Sequence, residues 1–335
     1  MLDGVRRVNK APVILACVFL ATLLTALPLS LILRDSLSAS LGHSLAADGA
    51  LHGVNYLWWT EYWASQPAGS LSRTFGPSVI GFAVVLDNIS TLLDKGGRPA
   101  GLLMLGGAYL VLWLFLAGGI LDRYARNRPT RAHEFFTACG IYFVRFLRLA
   151  PIIGVTYYVL FRYVHPLLFD HLYERITRDV TVERTAFAWR AGFYCLFGLL
   201  LVAVNVVFDY AKARAVIEDR RSMIGAVGAG LRFVRRNAGA VTALYALDAL
   251  LFLVVIGLYG LVAPGAGPSG GVMWLGFLVS QLYLLARLWV RLVFLASSAA
   301  LFQGRLAHIG YVAGAHALLP EPPIVEQALS VSPDP

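Results

Sequence analysis

The sequence predicts an all-α, polytopic membrane bundle of about six spans, and three observations carry that reading. Of 335 residues, 58% are hydrophobic and only 14% charged, where a soluble chain of this size carries about a quarter charged residues. The apolar residues come in blocks long enough to cross a bilayer as helix, which takes roughly 20 residues. Lys and Arg concentrate in alternate connections between those blocks.

The six blocks are 11–33, 101–120, 149–169, 186–208, 239–262 and 272–298. The first follows Arg6, Arg7 and Lys10, as a secretory signal would. Its apolar run exceeds the roughly 7–15 residues of a signal core, and Arg6-Arg7 lacks the surroundings of a twin-arginine signal. It is therefore expected to be a retained first span.

Orientation follows from the basic residues. With the N-terminus in the cytoplasm, the inner connections hold 17 Lys and Arg and the outer ones 7. An even number of spans then returns the C-terminus to the same side, as expected for a multi-pass protein of a bacterial inner membrane. The net charge of +9 is accounted for by this topology and by attraction to anionic head groups at the inner face. Nucleic acid is not an expected partner; membrane lipid and other membrane subunits are.

Three segments are expected. Residues 1–100 comprise the first span and a long outer loop, 101–313 the membrane core, and 314–335 a flexible tail reading "EPPIVEQALSVSPDP" at its end. The outer loop carries the aromatic cluster "YLWWTEYW" at 56–63, of the kind found at bilayer interfaces. The stretch 75–93 is too polar at Asp87, Asn88 and Ser90 for a comfortable span and reads as interfacial or re-entrant. Asn88 also begins an N-I-S glycosylation triplet.

The core reads as a parallel internal repeat with an offset of 90. Gly140, Phe143, Val144 and Arg145 match Gly230, Phe233, Val234 and Arg235. The same offset carries 101–169 onto the unit 186–262, leaving 272–298 as the sixth span. Two spans per unit return the chain to one side, so the units are parallel. The linking segments show helical periodicity, at Phe135, Cys139, Tyr142 and Phe146 in one and Ile224, Val227, Leu231 and Val234 in the other. Both are expected to lie as amphipathic helices in the interface. "VRRVNKAP" from Val5 resembles "VRRNAGAV" from Val234, and this would allow a third, permuted unit.

Charges inside the spans supply the candidate sites. The run "LYLLARLWVRLVFL" (282–295) places Arg287 and Arg291 one turn apart in apolar surroundings. Reflecting Asp248 through a hairpin turn centred near Gly267 sets it beside Arg287. Pairing would neutralise charges that each cost at least about 2.5–3.5 kcal/mol at mid-span. Arg291 is then free for Asp209 or for lipid phosphate. The pair reads either as a buried contact fixing helix register or as part of a substrate or proton path.

A second cluster lies near the outer face: Arg162, His165, Asp170, His171 and Glu174, with Arg190 on the next span. It reads as a solvated salt-bridge cluster or as a carboxylate–imidazole face for a divalent metal. Pro166 is expected to break the helix between His165 and the rest.

Other chemistry finds little footing. Cys17, Cys139 and Cys195 lie in or beside apolar segments without ligand spacing and read as buried apolar residues. The sequence carries no HExxH, and its Gly-rich run "GAGPSGG" at 265–271 fits GxSxG only as a pattern, because it falls in an outer loop and not in a span with a partner histidine. No catalytic, cofactor-binding or metal-binding residue set is assigned.

Laid side by side, "GGILDRYARNRPTRAHEFF…FVRFLRL" and "VVFDYAKARAVIEDRRSMIGAVGAGLRFVRRN" resemble a diffuse group of bacterial six-span proteins. That group includes the membrane domain attached to some glycerophosphodiester phosphodiesterases. The likeness covers roughly 101–298 and implies an envelope membrane domain; without a phosphodiesterase domain, that activity does not carry over. The leading functional expectation is a non-enzymatic structural or accessory subunit organising lipid or a partner. A transporter or channel using Asp248 and Arg287, and a lipid-modifying enzyme using the outer cluster, are the alternatives.

Overall fold

The computed structural model describes residues 1–42, 44–67, 70, 72, 100–263 and 270–307. Ten helices occur among them, and no strands. They are α1 (Leu2–Asn9), α2 (Pro12–Leu41), α3 (Ala46–Leu51), α4 (Tyr56–Ser65) and α5 (Ala100–Arg126), followed by α6 (Ala132–Thr177). The remainder are α7 (Glu183–Ile217), α8 (Met223–Arg236), α9 (Ala238–Val262) and α10 (Gly271–Ala307). Six of these, α2, α5, α6, α7, α9 and α10, are long and apolar enough to cross a membrane. The expected stretch 75–93, Asn88, the turn at Gly267 and the tail lie outside the described residues.

Helices in lipid gain little from burying apolar surface, so close packing by small residues holds them together. On α5, a Cβ added to Gly118 would lie 2.6 Å from the Tyr142 Cβ. One added to Gly119 would lie 2.9 Å from the Phe135 carbonyl oxygen. These two positions let α6 come back directly onto α5. In the next hairpin the small residues are Gly230 on α8 and Ala211 on α7, where an added Cβ would lie 3.1 Å from the Ala211 nitrogen.

The bundle is tight at one end and splayed at the other. Buried side chains concentrate where α5 ends, α7 ends and α10 ends, with Ile120, Tyr124, Phe146, Tyr210, Leu292 and Phe302 among them. The same end gathers the basic connections. Arg7 donates to the Tyr124 carbonyl (2.7 Å) and to Gln303 Oε1 (2.9 Å), Gln303 Nε2 donates to the Ala125 carbonyl (2.9 Å), and Arg145 pairs with Asp219. Toward the other end, α2 and α9 bury little. Their only buried residues are Ile14 and Val18 on α2, and Val241 and Leu244 on α9. A separate aromatic cluster there binds α6 to α7 through Leu160, Leu168, Phe193 and Phe197.

Four local features depart from the sequence reading. The basic run before the first span forms the amphipathic helix α1, which docks on α10 with Gly4 pressed against Ser297. The first linking segment is not a separate interfacial helix: it runs into the third span as continuous α6, whereas α8 is set off from α9 at Asn237. Gly140 and Gly230, matched at offset 90, also differ in surroundings, since nothing lies within 4 Å of a Cβ at Gly140. Pro166 does not break α6. Two π-helical turns, Leu160–Val164 and Leu167–Leu172, absorb the missing donor and the ring.

The aromatic segment folds as α4, capped by Asn55. Trp58 stacks on Tyr62 at 5.0 Å, and the Tyr62 hydroxyl lies 2.7 Å from the Ser36 hydroxyl on α2.

Candidate functional site

The splay leaves a cleft of about 940 Å³ among α2, α5, α9 and α10. Its walls are chiefly apolar, with Ala26, Leu29, Phe252 and Phe294 among them. Polar groups reach it at Thr22, Thr25, Tyr109, Tyr245 and Asp248, and the cations are Arg287 and Arg291. Thr22 Oγ1 and the Tyr109 hydroxyl lie 3.3 Å apart, tying α2 to α5 across the floor.

Asp248, Arg287 and Arg291 thus share one cavity, but the expected ion pair between Asp248 and Arg287 is not formed. No carboxylate of a described residue lies within 4 Å of either guanidinium. The register explains part of this. Tyr245 packs on Phe294 at 4.5 Å, Tyr259 stacks on Tyr283 at 4.3 Å, and the Tyr259 hydroxyl lies 3.2 Å from the Ser280 hydroxyl. Each of these pairs is centred between residues 269 and 271 rather than on Gly267. Asp248 therefore stands level with Arg291, and Arg287 lies about a turn beyond it. The remainder is lateral: a reflection sets depth, not distance, and at this depth the helices line a cleft.

Arg291 finds a different partner. Its guanidinium carbon sits 3.6 Å from the centre of the Trp113 ring on α5, a cation–π contact that stabilises by about 0.5–2 kcal/mol depending on desolvation. Asp209, the other expected partner, is already engaged. Its Oδ1 lies 2.6 Å from Lys212 Nζ, and its Oδ2 accepts from the Tyr245 hydroxyl at 3.0 Å. Arg287 is exposed and lines the cleft, with no hydrogen-bond or ion-pair partner among the described residues, and Asp248 Oδ1 is buried without a hydrogen-bond partner among them. The cleft thus presents two cations, one of them seated on indole, above apolar walls.

The outer cluster is divided by the fold. His165 is buried among Phe161, Phe169 and Phe197, with ring centres 4.6–6.3 Å away. His171 Nδ1 donates to the Pro166 carbonyl at 3.1 Å, and Arg190 lies over Tyr194 at 5.8 Å. Arg162, Asp170, His171, Glu174 and Arg190 are exposed, and among the described residues no ion pair joins Asp170 or Glu174 to Arg162 or His171. Among the described residues no three His, Cys, Asp or Glu come together as a metal site. Cys139 is buried, as expected of a small apolar residue, whereas Cys17 and Cys195 are exposed.

Sequence reasoning passed over Trp113, Tyr109, Thr22 and Thr25. Trp113 carried a signal: tryptophan favours the membrane interfaces, and this one stands in the middle of α5. No family model matches the chain, and neither a curated protein nor a solved structure is similar to it.

Proposed function

We propose that this integral membrane protein is a non-enzymatic accessory protein of a bacterial inner membrane that binds and organises anionic lipid. Both termini would face the cytoplasm, and two parallel units at offset 90 would frame the core. The observation that carries this reading is the cleft itself. Arg287 and Arg291 face it without a carboxylate partner, at a depth where an isolated charge costs at least about 2.5–3.5 kcal/mol. An anionic amphiphile supplies both missing parts, a counter-charge for the guanidiniums and acyl chains for the apolar walls. Arginine suits the role because its planar fork bonds phosphate oxygens in pairs. The resemblance to bacterial six-span membrane domains supports the compartment and nothing finer.

The test is native mass spectrometry of gently solubilised protein. Wild type should retain anionic phospholipid, and Arg287→Gln with Arg291→Gln should lose at least one bound molecule without losing folded protein. Retention unchanged in the double variant, or catalytic turnover by the protein alone, sinks the reading. A transport path is the second reading, favoured by the orphaned Asp248 oxygen in the same cavity. It requires uphill flux in proteoliposomes that Asp248→Asn abolishes at normal abundance.

A further inference from the structure

A second pocket lies at the basic end, on another stretch of α2. Its volume is about 310 Å³, and it sits where α2, α5 and α6 meet the connection 127–131. Its charged lining consists of Lys10 and Arg123, with no carboxylate; its apolar lining includes Val13, Cys17, Leu116 and Phe136.

Arg123 is the decisive residue. It is only 7% exposed, yet no hydrogen bond or ion pair of its side chain occurs among the described residues. Five other arginines at this end are satisfied internally. Arg7 bonds Asp3, Gln303 and the Tyr124 carbonyl, and Arg126 holds Asp122 at 2.9 Å. Arg145 holds Asp219, while Arg214 and Arg220 share Glu218. A further pocket of about 360 Å³ contains Arg126, Arg128 and Arg145, but Arg126 and Arg145 are paired and the carboxylates of Asp122, Glu134 and Asp219 share its lining. The guanidinium nitrogens are not sealed off, and the residue lines this pocket, so a largely buried cation with no protein partner is open to an anion there.

The shape around Arg123 indicates what does so. Lys10 stands on the chain just before α2 and brings a second, exposed ammonium to the same opening. Beyond the cations, the exposed residues Val13, Cys17, Leu20 and Leu24 recur at spacings of four, three and four, so they line one face of α2. That strip runs about 16 Å along the helix toward the middle of the span. Cations at the mouth and a lipid-facing apolar strip below match a head group and its chains better than a free anion. The geometry points to a site in which Lys10 and Arg123 clamp the phosphate of one anionic phospholipid whose chains descend along α2. It lies on the 12–18 stretch of α2 and the residues just before it, whereas the larger cleft uses Thr22 to Leu29. The two sites therefore stand or fall separately.

The experiment uses the full chain in detergent micelles, titrated with phosphatidylglycerol or phosphatidylcholine and read by native mass spectrometry. Arg123→Gln should weaken one phosphatidylglycerol binding step about tenfold, the loss of a charge-assisted bond, and leave phosphatidylcholine unaffected. Arg123→Lys should restore part of it. Lys10→Gln, at an exposed position where folding is not at risk, should weaken the same step by a smaller factor. Adding Arg123→Gln to the Arg287→Gln, Arg291→Gln double variant should weaken a further step beyond the one the double variant loses, which separates this site from the cleft. Three results overturn the assignment: unchanged phosphatidylglycerol binding in both Arg123→Gln and Lys10→Gln, equal losses for the two lipids, or displacement of phosphatidylglycerol by millimolar inorganic phosphate.

Discussion

A hydrogen atom at position 119 decides how closely two spans approach. A methyl group there would press on the Cys139 sulfur and stand 2.9 Å from a backbone carbonyl, which cannot rotate away. We expect Gly119→Ala to destabilise the protein by about 1–3 kcal/mol, the usual cost of overpacking. Gly140→Ala should be neutral or stabilising by up to about 1 kcal/mol, because its side faces open space and alanine favours helix. Melting of the two purified variants beside wild type reads the difference, and equal shifts would show that α5 and α6 do not meet as described. The contrast also shows a limit of sequence matching. Gly140 stood out through its correspondence with Gly230, whereas the working glycines, 118 and 119, lie in a motif whose contact partners come from the next helix. Arg291 is similar: its depth was legible from the apolar run around it, but its seat on Trp113 depends on how two distant spans are turned.

At the scale of elements, length and polarity read well and continuity read poorly. The six apolar blocks correspond to six long helices, because a bilayer demands about 20 apolar residues whatever the packing. Helix ends were harder to place, since α2, α7 and α10 continue past the hydrocarbon by a turn or more. Pro166 illustrates the same problem, because its signal to stop is answered locally by π-helical turns. The register of α9 against α10 was off by five to eight residues, because the centre of a glycine-rich turn was taken for the centre of the hairpin, which lies two to four residues further on. Helix α1 left a weak trace in sequence, since eight residues before a span read simply as positive charge. Its anchor is Arg7, which bonds Asp3, the Tyr124 carbonyl and Gln303 at once. Arg7→Ala leaves a buried carbonyl less well satisfied and should cost about 1–3 kcal/mol. Limited trypsin digestion should then cut faster after the exposed Arg6 and Lys10. Unchanged cleavage would mean that α1 is held by Gly4 and Val8 alone.

Across the whole molecule, the tight end and the basic end are the same end, and a physical argument connects the two. Connections at that end carry most of the arginines, and their carbonyl, carboxylate and amide partners sit on the ends of α5, α7 and α10, so polar bonding adds to close packing there. Toward the other end, α2, α9 and α10 carry mostly aliphatic faces, which gain nothing from one another that lipid cannot also give. The helices can therefore splay, and the cleft opens where the bundle has least reason to close. Charge asymmetry then gives the molecule a direction across the membrane. Cysteines introduced at Arg128 and Arg221, in a background lacking Cys17, Cys139 and Cys195, should react with an impermeant maleimide only in inside-out vesicles. Cysteines at Glu61 and Arg178 should react only from the outside of intact spheroplasts. The reverse pattern would place the basic end outside, against an attraction to anionic head groups worth about 1 kcal/mol per cation near the surface. Labelling of all four positions from one side would mean that the long helices do not cross the bilayer. The expected pattern instead sets Lys10 and Arg123 at the inner head groups and leaves Arg287 and Arg291 within the span, so that any lipid drawn to the second pair leaves its own head-group layer to reach it.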